Sequence, residues 1–378
     1  MQPAILTPAI RAPRLSQLTR LERDAYMNRG GDLDMTFGYP DDLAPGWFGN
    51  YLVRPQADFL RIPPSEFINV IGGHFRSLFG SEVFLIPTCS MAFAIAASAV
   101  VQPGDEAIVI DRSYDSWPIM LETQGARVVY ARRTAAGLPD VESVAAACTA
   151  RTRAIVLVSP DNPLGVICPA DVLEQIAALC KDRGLTLVID HCLAEVNPYC
   201  RDIPLLPRLP AAADLSWIAV GDTGKLLLGL TGPKFGALAY SDSLREPVAA
   251  AASPWFFAYD QYGLATVAVI LSDFRFPDYR ERLSAQIAAN HEYLAAHVRL
   301  PLTVGELGAG CFALVDAMGT GLDGESFARR LARERVLVSP VSWFPSGTAD
   351  DETRIRVALS RPPATIGSLV TALNAAAR

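Results

Sequence analysis

Short apolar runs recur along the first two thirds of the chain and predict buried strands. They lack a regular polar alternation, which is typical of strands covered on both faces. Stretches with helical periodicity separate most of them, as at 66–78, 92–100, 141–148 and 169–180. This alternation predicts an α/β fold with a right-handed, mostly parallel central sheet flanked by helices. The predicted strands are 83–87, 107–111, 127–131, 154–159, 185–190, 217–221 and 235–240.

The pattern changes after about residue 265. One long helix is predicted through 299, followed by short strands at 311–315, 336–338 and 354–358 and a closing helix. The first 45 residues are rich in Pro, Gly and Arg and indicate an arm rather than a domain. We therefore expect an N-terminal arm (1–45), a large domain (46–265) and a smaller α+β C-terminal domain (266–378) that packs with the arm.

Composition and charge narrow the class of protein. The chain has 378 residues, of which 51% are apolar and 19% charged, so it can bury a large core. Its net charge is −7 and its Lys and Arg residues are scattered, which argues against nucleic-acid or anionic-membrane partners. The longest apolar stretch, 93–101, is too short to span a bilayer, and we expect a cytoplasmic protein.

The seven cysteines form no Cys-x-x-Cys pair, and the four histidines show no ligand spacing with them. We expect buried free thiols and neither a metal site nor a disulfide framework.

Three polar residues follow three predicted strands in order along the chain. Asn162 follows the strand ending near 158, Asp190 ends the next strand, and Lys225 follows the strand ending near 220. Parallel sheets place their chemistry beyond the carboxyl ends of the strands. These three residue types suit pyridoxal 5′-phosphate (PLP). The Lys can form a Schiff base with it, and the Asp can keep its pyridine nitrogen protonated. The Asn can orient the ring hydroxyl or the substrate carboxylate.

The segment Thr88-Cys89-Ser90-Met91 joins a strand to a helix. Free backbone N–H groups at the helix start, with the Ser90 hydroxyl, suit a phosphate, and Ser90 and Met91 are therefore candidate cofactor-binding residues. A plain N-cap role for Ser90 is the alternative.

Five separated segments, in the correct order, resemble the fold-type I PLP enzymes of the aspartate aminotransferase superfamily. The resemblance covers nearly the whole chain. The segments are Asn162-Pro163-Leu164-Gly165, Val188-Ile189-Asp190, Lys225, Gln102-Pro103-Gly104-Asp105-Glu106 and Arg354-Ile355-Arg356-Val357-Ala358-Leu359-Ser360.

The resemblance implies roles for further residues. It implies that Arg356 binds the substrate carboxylate, that Tyr114 stacks on the pyridine ring and that Lys234 supplies positive charge near the phosphate. The alternative for Tyr114 is a half-buried packing residue. The resemblance also implies an amino-acid substrate and a homodimer with shared sites.

Two departures from the superfamily pattern bear on the reaction. Leu193 stands where aminotransferases commonly have a Tyr that donates to the ring hydroxyl, and Asp222 replaces the first Ser of a Ser-x-Ser-Lys segment. Asp222-Thr223-Gly224-Lys225 resembles the PLP-dependent arginine oxidases and hydroxylases of natural-product pathways. Leu18-Thr19-x-x-Glu22 is also similar to that group, which implies that Thr19 and Glu22 help to bind the substrate guanidinium.

The same group has an Asp-Gly-His stretch in the arm, and alignment on Gly38 places Phe37-Gly38-Tyr39 there. Gly38 is a candidate substrate-binding residue, but Phe cannot pair with a guanidinium and Tyr is a poor base near neutral pH. Asp34 is a possible replacement for the missing acid. We expect Glu22, Asp34 and Asp222 to favour a cationic substrate if they face the site; the alternative is that all three are solvated.

His191 directly follows Asp190, but successive side chains of a strand point to opposite faces, so we expect it to face away from the cofactor ring.

The leading hypothesis is a PLP-dependent tailoring enzyme of natural-product biosynthesis with oxidase-like chemistry on a cationic amino acid. An ordinary class I/II aminotransferase is the second hypothesis. The third is β- or γ-elimination or replacement on a substrate such as S-adenosylmethionine. A PLP-fold regulator without turnover is disfavoured because Asn162, Asp190, Lys225 and Arg356 are all present.

Overall fold

The structure is a computed structural model of the chain. It describes residues 16–27, 33–52, 61–197, 200, 205, 214–227, 229, 232–255, 258–303, 310–347 and 352–378. Residues 1–15 and 28–32 of the predicted arm lie outside this described part.

A seven-stranded sheet forms the centre of the fold. Its order is β2-β8-β7-β6-β5-β3-β4, and only β8 runs antiparallel to its neighbours. This confirms the predicted α/β class with a mostly parallel sheet. The strands are β2 (Val83–Ile86), β3 (Glu106–Ile110), β4 (Arg127–Ala131), β5 (Thr152–Val158), β6 (Thr186–Asp190), β7 (Ser216–Asp222) and β8 (Gly236–Tyr240).

Helices cover both faces of this sheet. Chain order within the described residues gives α1 (Gln17–Met27), α2 (Gly49–Leu52), α3 (Pro64–Phe79), α4 (Cys89–Val100), α5 (Ser116–Thr123), α6 (Val141–Ala147), α7 (Ala170–Arg183) and α8 (Arg245–Ala252). Single 3₁₀ turns occur at Asp41–Leu43, Gly46–Phe48, Ala194–Val196, Thr223–Lys225, Asp242–Leu244 and Val341–Trp343.

The predicted single helix from about 265 to 299 is wrong. The segment forms two helices, α9 (Gln261–Leu271) and α10 (Phe276–His297). The Asp273 carboxylate accepts a hydrogen bond from the Arg275 backbone N–H in the break, and α10 has a proline in its first turn. Proline lacks the N–H needed inside a helix but is favoured at a helix start, so it begins a second helix. The domain boundary predicted after residue 265 falls within α9 and stays a prediction.

A second, antiparallel sheet follows, with the order β12-β13-β10-β9. A two-residue strand of the arm, β1 (Leu33–Asp34), pairs in parallel with β11 (Val336–Leu337), so the arm joins the C-terminal part, as expected. The remaining elements are β9 (Leu302–Thr303), β10 (Phe312–Asp316), α11 (Gly324–Arg333), β12 (Ser339–Pro340), β13 (Arg354–Ala358) and α12 (Pro363–Ala376).

The side chains of the central strands alternate between two apolar layers. In β6, Leu187 and Ile189 pack into the layer that contains Phe75 and Phe79 of α3, whereas Val188 packs into the layer that contains α4. Because the period is two, Asp190 follows Val188 onto the α4 side of the sheet. The register pairs Asp190 with both Val158 and Val220, so the ends of β5, β6 and β7 lie together.

None of the described helices is both long and apolar enough to cross a bilayer.

Candidate active site

The chain after β7 turns sharply and presents Lys225. Asp222 ends β7, and its Oδ1 accepts a hydrogen bond of 2.8 Å from the Gly224 N–H, which closes the 3₁₀ turn 223–225. The Lys225 Nζ lies 3.8 Å from the centroid of the Tyr39 ring, a cation–π contact with the arm.

A cavity opens at this edge of the sheet. It contains six of the twelve predicted site residues, and Leu193 is also at its wall. Its lining consists of Tyr39, Cys89, Ser90, Phe93, Tyr114, Val158, Asn162, Asp190, Cys192, Leu193, Asp222 and Lys225.

Asp190 is oriented by two hydrogen bonds from groups of the protein. The indole Nε1 of Trp117 donates to Oδ2 at 2.9 Å, and the backbone N–H of Cys192 donates to Oδ1 at 3.1 Å. Trp117 is fully buried and its ring centroid lies 4.7 Å from that of Phe93. The carboxylate is therefore fixed in direction within an apolar layer.

Burial sets the direction of the pKa shift for the two acids of the cavity, and charge sets it for the lysine. Burial raises the pKa of Asp190 against the hydrogen bonds from Cys192 and Trp117, and it raises the pKa of Asp222 against the attraction of Lys225. Burial alone would lower the pKa of Lys225, but the charge of Asp222, with smaller contributions from other acidic groups, outweighs it and the net shift is upward. Asp222 and Lys225 thus form a buried acid–amine pair at the cavity wall.

The start of α4 is capped by Thr88 and not by Ser90. The Thr88 hydroxyl accepts a hydrogen bond of 3.2 Å from the Met91 N–H. The N-cap alternative for Ser90 is therefore wrong, because Ser90 lies inside the first turn and at the cavity wall. The Met91 N–H, expected to be free for a phosphate, is bonded to this cap.

Arg356 lies on β13, 1% exposed, beside the cavity. Its Nη1 donates to the Oδ1 of Asn162 at 2.7 Å, which links it to the cavity wall. Its Nη2 donates to the Oε1 of Glu22 at 3.0 Å. The tertiary structure thus joins residues that are 194 and 334 positions apart in the sequence.

Two of the expected acidic residues are committed to other groups of the protein. Glu22 was expected to bind a guanidinium of the substrate, and the guanidinium it binds is that of Arg356. The Asp34 carboxylate accepts from the N–H and hydroxyl of Thr36, at 2.9 and 2.6 Å, within its own turn. Thr19 lies on the same helix as Glu22 and donates to Asp115 at 3.1 Å.

Lys234 and Gly38 lie near the cavity without lining it. The Lys234 Nζ donates to the carbonyl oxygen of Gly229 and is 5.9 Å from the Tyr39 ring centroid. Gly38 is buried, and a Cβ placed on it would lie 2.7 Å from both the Cys311 sulfur and the Phe312 ring. Gly38 thus allows the arm to pass close to β10.

His191 faces away from the cavity, as predicted. Its Nδ1 is 2.6 Å from the Ser159 carbonyl oxygen, and its ring packs 6.3 Å from that of Phe79 in the opposite apolar layer.

Sequence reasoning missed three residues of the site. Cys192 lies two positions after Asp190, and the strand period would have placed it on the same face; its sulfur lies 3.0 Å from that of Cys89. The sequence indicates Tyr39 only as a poor base, whereas in the structure its ring contacts Lys225. Trp117 had no local signal, because a tryptophan in an apolar helix is normally a core residue.

The donor set fits PLP. A buried carboxylate of fixed direction suits a protonated pyridine nitrogen, an amine at the same cavity suits the aldehyde, and a helix start suits the phosphate. Among the described residues, no cluster of His, Cys, Asp and Glu has the size needed for a metal site. Fold and site therefore define a PLP-dependent enzyme of fold type I.

Comparisons with known proteins agree with this class. The profile of the family Aminotransferase class I and II matches residues 76–373, so the chain belongs to that family. The aspartate/prephenate aminotransferase of Thermus thermophilus is 34% identical over 134 residues, which cover 35% of this chain and 31% of that protein.

Solved structures show the same fold. A double mutant of Thermus thermophilus aspartate aminotransferase superposes with a TM-score of 0.81 at 21% identity, over 97% of each chain. The N-succinyldiaminopimelate aminotransferase of Mycobacterium tuberculosis superposes with a TM-score of 0.82 at 21% identity, over 96% of this chain and 98% of that one.

Proposed function

We propose that this PLP-dependent enzyme transfers the amino group of an α-amino acid to a keto acid. The observation that carries the proposal is the hydrogen bond from Arg356 to Asn162, which puts a guanidinium beside the cavity that contains Lys225 and Asp190. A guanidinium binds a carboxylate with two parallel hydrogen bonds, so this pair suits the α-carboxylate of an amino acid.

The roles we assign follow from residue chemistry. Lys225 would hold the cofactor covalently, and its amine would accept and return the proton of the substrate α-carbon. Asp190 holds a proton at the pyridine nitrogen, so that PLP, when bound, accepts the electrons released at the α-carbon. Tyr114, one of three aromatic residues that line the cavity, would cover the ring.

We assign the phosphate to the start of α4. The phosphate would accept hydrogen bonds from the Ser90 hydroxyl and from the first-turn N–H groups, including that of Met91 if it leaves its cap. Lys234 would add positive charge nearby. Asp222 orients Lys225 by its charge and closes the turn that carries it.

A second candidate function is oxidase-like chemistry on a cationic amino acid in natural-product biosynthesis. Two observations favour it. Leu193 lies at the cavity wall and supplies no donor to the ring hydroxyl, and the acid Asp222 lies at the same wall as Lys225. The resemblance of Asp222-Thr223-Gly224-Lys225 to arginine oxidases and hydroxylases supports the same function.

One experiment separates the two functions. The PLP-loaded enzyme is incubated with single amino acids, with and without a keto acid and with and without oxygen. Transamination requires the keto acid and converts it to an amino acid at the same rate in anaerobic buffer. Oxidation consumes oxygen and needs no keto acid. The Lys225→Ala variant, loaded with PLP, is the control for chemistry that does not use the site.

We also propose a homodimer. Large apolar side chains are exposed on the described surface, including Phe274 (88%) and Trp255 (48%), and a second copy would cover them. Sedimentation analysis of the active enzyme tests this, and a fully active monomer would contradict it. The cytoplasmic location stays a prediction from the sequence.

A further inference from the structure

The N–H groups at the end of the Arg356 guanidinium are engaged by the protein itself. In addition to Asn162 and Glu22, Nη2 donates to the backbone oxygen of Thr36 at 2.5 Å and to the Ser339 hydroxyl at 3.1 Å. The faces of the guanidinium lie against aromatic rings, with centroids 4.2 Å (Phe312) and 5.1 Å (Phe344) from its central carbon. Two hydrogen bonds from the end of the guanidinium to one carboxylate would use both Nη1 and Nη2, and Nη2 would then exchange one of these partners. The buried Nε donates to no described group.

Glu22 differs from the other three partners in chemistry and in attachment. Ser339 lies on β12 at the position paired with Arg356, and Thr36 contributes a main-chain oxygen directly after β1 and Met35. Glu22 is a carboxylate on a flexible side chain, and that side chain is 19% exposed. It is the described partner that has the same charge and the same bonding groups as a substrate carboxylate.

One face of α1, the helix that carries Glu22, contacts residues beside the cavity. Thr19 and Glu22 are three positions apart and share that face of α1. Thr19 and Ser16 donate to the carboxylate of Asp115, and Glu22 accepts from Arg356. The contact with Arg356 is therefore a polar attachment of this face, and its loss would loosen α1.

We propose that Glu22 is an internal placeholder for the substrate: it occupies the carboxylate subsite of Arg356 in the free enzyme and exchanges with the incoming α-carboxylate. The inference rests on the proposed role of Arg356 as the carboxylate-binding residue. The exchange keeps a carboxylate against Nη2 of the buried guanidinium at every stage, and a buried charge without a counter-charge is costly. As a consequence, Glu22 competes with the substrate and weakens substrate binding. Each binding event also frees α1 from its contact with Arg356.

The test uses binding and not turnover, with propionate as the probe. The PLP-loaded wild type and the Glu22→Gln variant are titrated with propionate by calorimetry. The Glu22→Gln substitution keeps the shape of the side chain but removes the charge that competes with propionate for Arg356. The Kd of the variant for propionate should therefore be about tenfold to a hundredfold lower, which corresponds to the free energy of a charge-assisted hydrogen bond. Asp24→Asn, an exposed acid on the same helix, is the matched control and should bind propionate as the wild type does.

Hydrogen exchange of α1 is the second measurement. Propionate should speed exchange of residues 17–27 in the wild type, whereas Glu22→Gln should show fast exchange of this helix without propionate. An unchanged or higher Kd in Glu22→Gln, or slower exchange of α1 on propionate binding, would overturn the placeholder role.

Arg356→Lys and Arg356→Gln distinguish failure of this inference from failure of the proposed function. If both variants fold by circular dichroism and bind propionate as tightly as the wild type, the carboxylate site lies elsewhere and the role of Arg356 is wrong. If they lose propionate binding while Glu22→Gln equals the wild type, the role of Arg356 stands and the placeholder inference alone fails.

Discussion

The indole of Trp117 donates a hydrogen bond of 2.9 Å to the carboxylate of Asp190, although the two residues are 73 positions apart. Trp117 belongs to α5 and Asp190 ends β6, so packing of a helix on the sheet sets the direction of the acid. The hydrogen bond also lowers the pKa of Asp190 and so opposes the effect of its burial.

Trp117→Phe should weaken PLP binding. Phe retains the packing against Phe93 but removes the donor, and a hydrogen bond to a charged group contributes about 1.5–3 kcal/mol, so the Kd for PLP should rise about tenfold or more. Titration of the apoenzyme with PLP, followed by absorbance, measures it. The control is Trp47→Phe, since the buried Trp47 Nε1 donates to no described group. If Trp117→Phe and Trp47→Phe bind PLP with equal affinity, the indole of Trp117 has no role in PLP binding.

Lys225→Ala should abolish the covalent, borohydride-reducible link to PLP and reduce turnover to near zero. Lys225 is the lysine at the cavity wall, whereas Lys234 is bonded to the Gly229 carbonyl oxygen. Lys234→Ala is therefore the matched control and should keep the link while binding PLP more weakly. Peptide mass spectrometry after reduction locates the cofactor, and a reduced adduct on Lys234 would show that the assignment is wrong.

Gly38→Ala should destabilise the protein by about 1–3 kcal/mol, because an added Cβ would overlap Cys311 and Phe312, and overpacking of a buried position costs this much. It should also shift Tyr39 away from Lys225. Gly46→Ala is the control, since nothing lies within 4 Å of a Cβ at that position. Urea denaturation compares their free energies of unfolding, and equal values would contradict the predicted overlap.

Glu106→Gln should lower stability in a pH-dependent way. Hydrogen bonds from Thr149, Arg151 and Arg127 lower the pKa of Glu106 from 4.5 to about 2 in the folded protein. A depressed pKa stabilises the folded state above the unfolded pKa, and this contribution is lost as the pH falls from about 4.5 toward 2.

The urea midpoint of Glu106→Gln should thus lie below that of the wild type by the same amount at pH 7 and at pH 5.5. This difference should become smaller as the pH falls below 4.5. Glu82→Gln, whose side chain is 87% exposed beside Arg76, should show almost no difference at any pH. A constant difference for Glu106→Gln down to pH 3 would be inconsistent with its lowered pKa.

The apolar pattern alone was sufficient to predict the central sheet. All seven strands occur within two residues of their predicted bounds, because a buried strand needs a continuous apolar run that is visible locally. The helix break at Ser272–Arg275 was missed because both flanking segments have helical periodicity.

The sequence by itself determined the α/β fold and the gathering of Asn162, Asp190 and Lys225, because parallel strands bring the residues at their carboxyl ends to one edge. Only the tertiary structure decided what those residues contact. The bonds of Trp117 to Asp190 and of Glu22 to Arg356 join elements far apart in the chain. Such contacts depend on how a helix packs on the sheet and how the arm crosses the site, and no local pattern of residues encodes either.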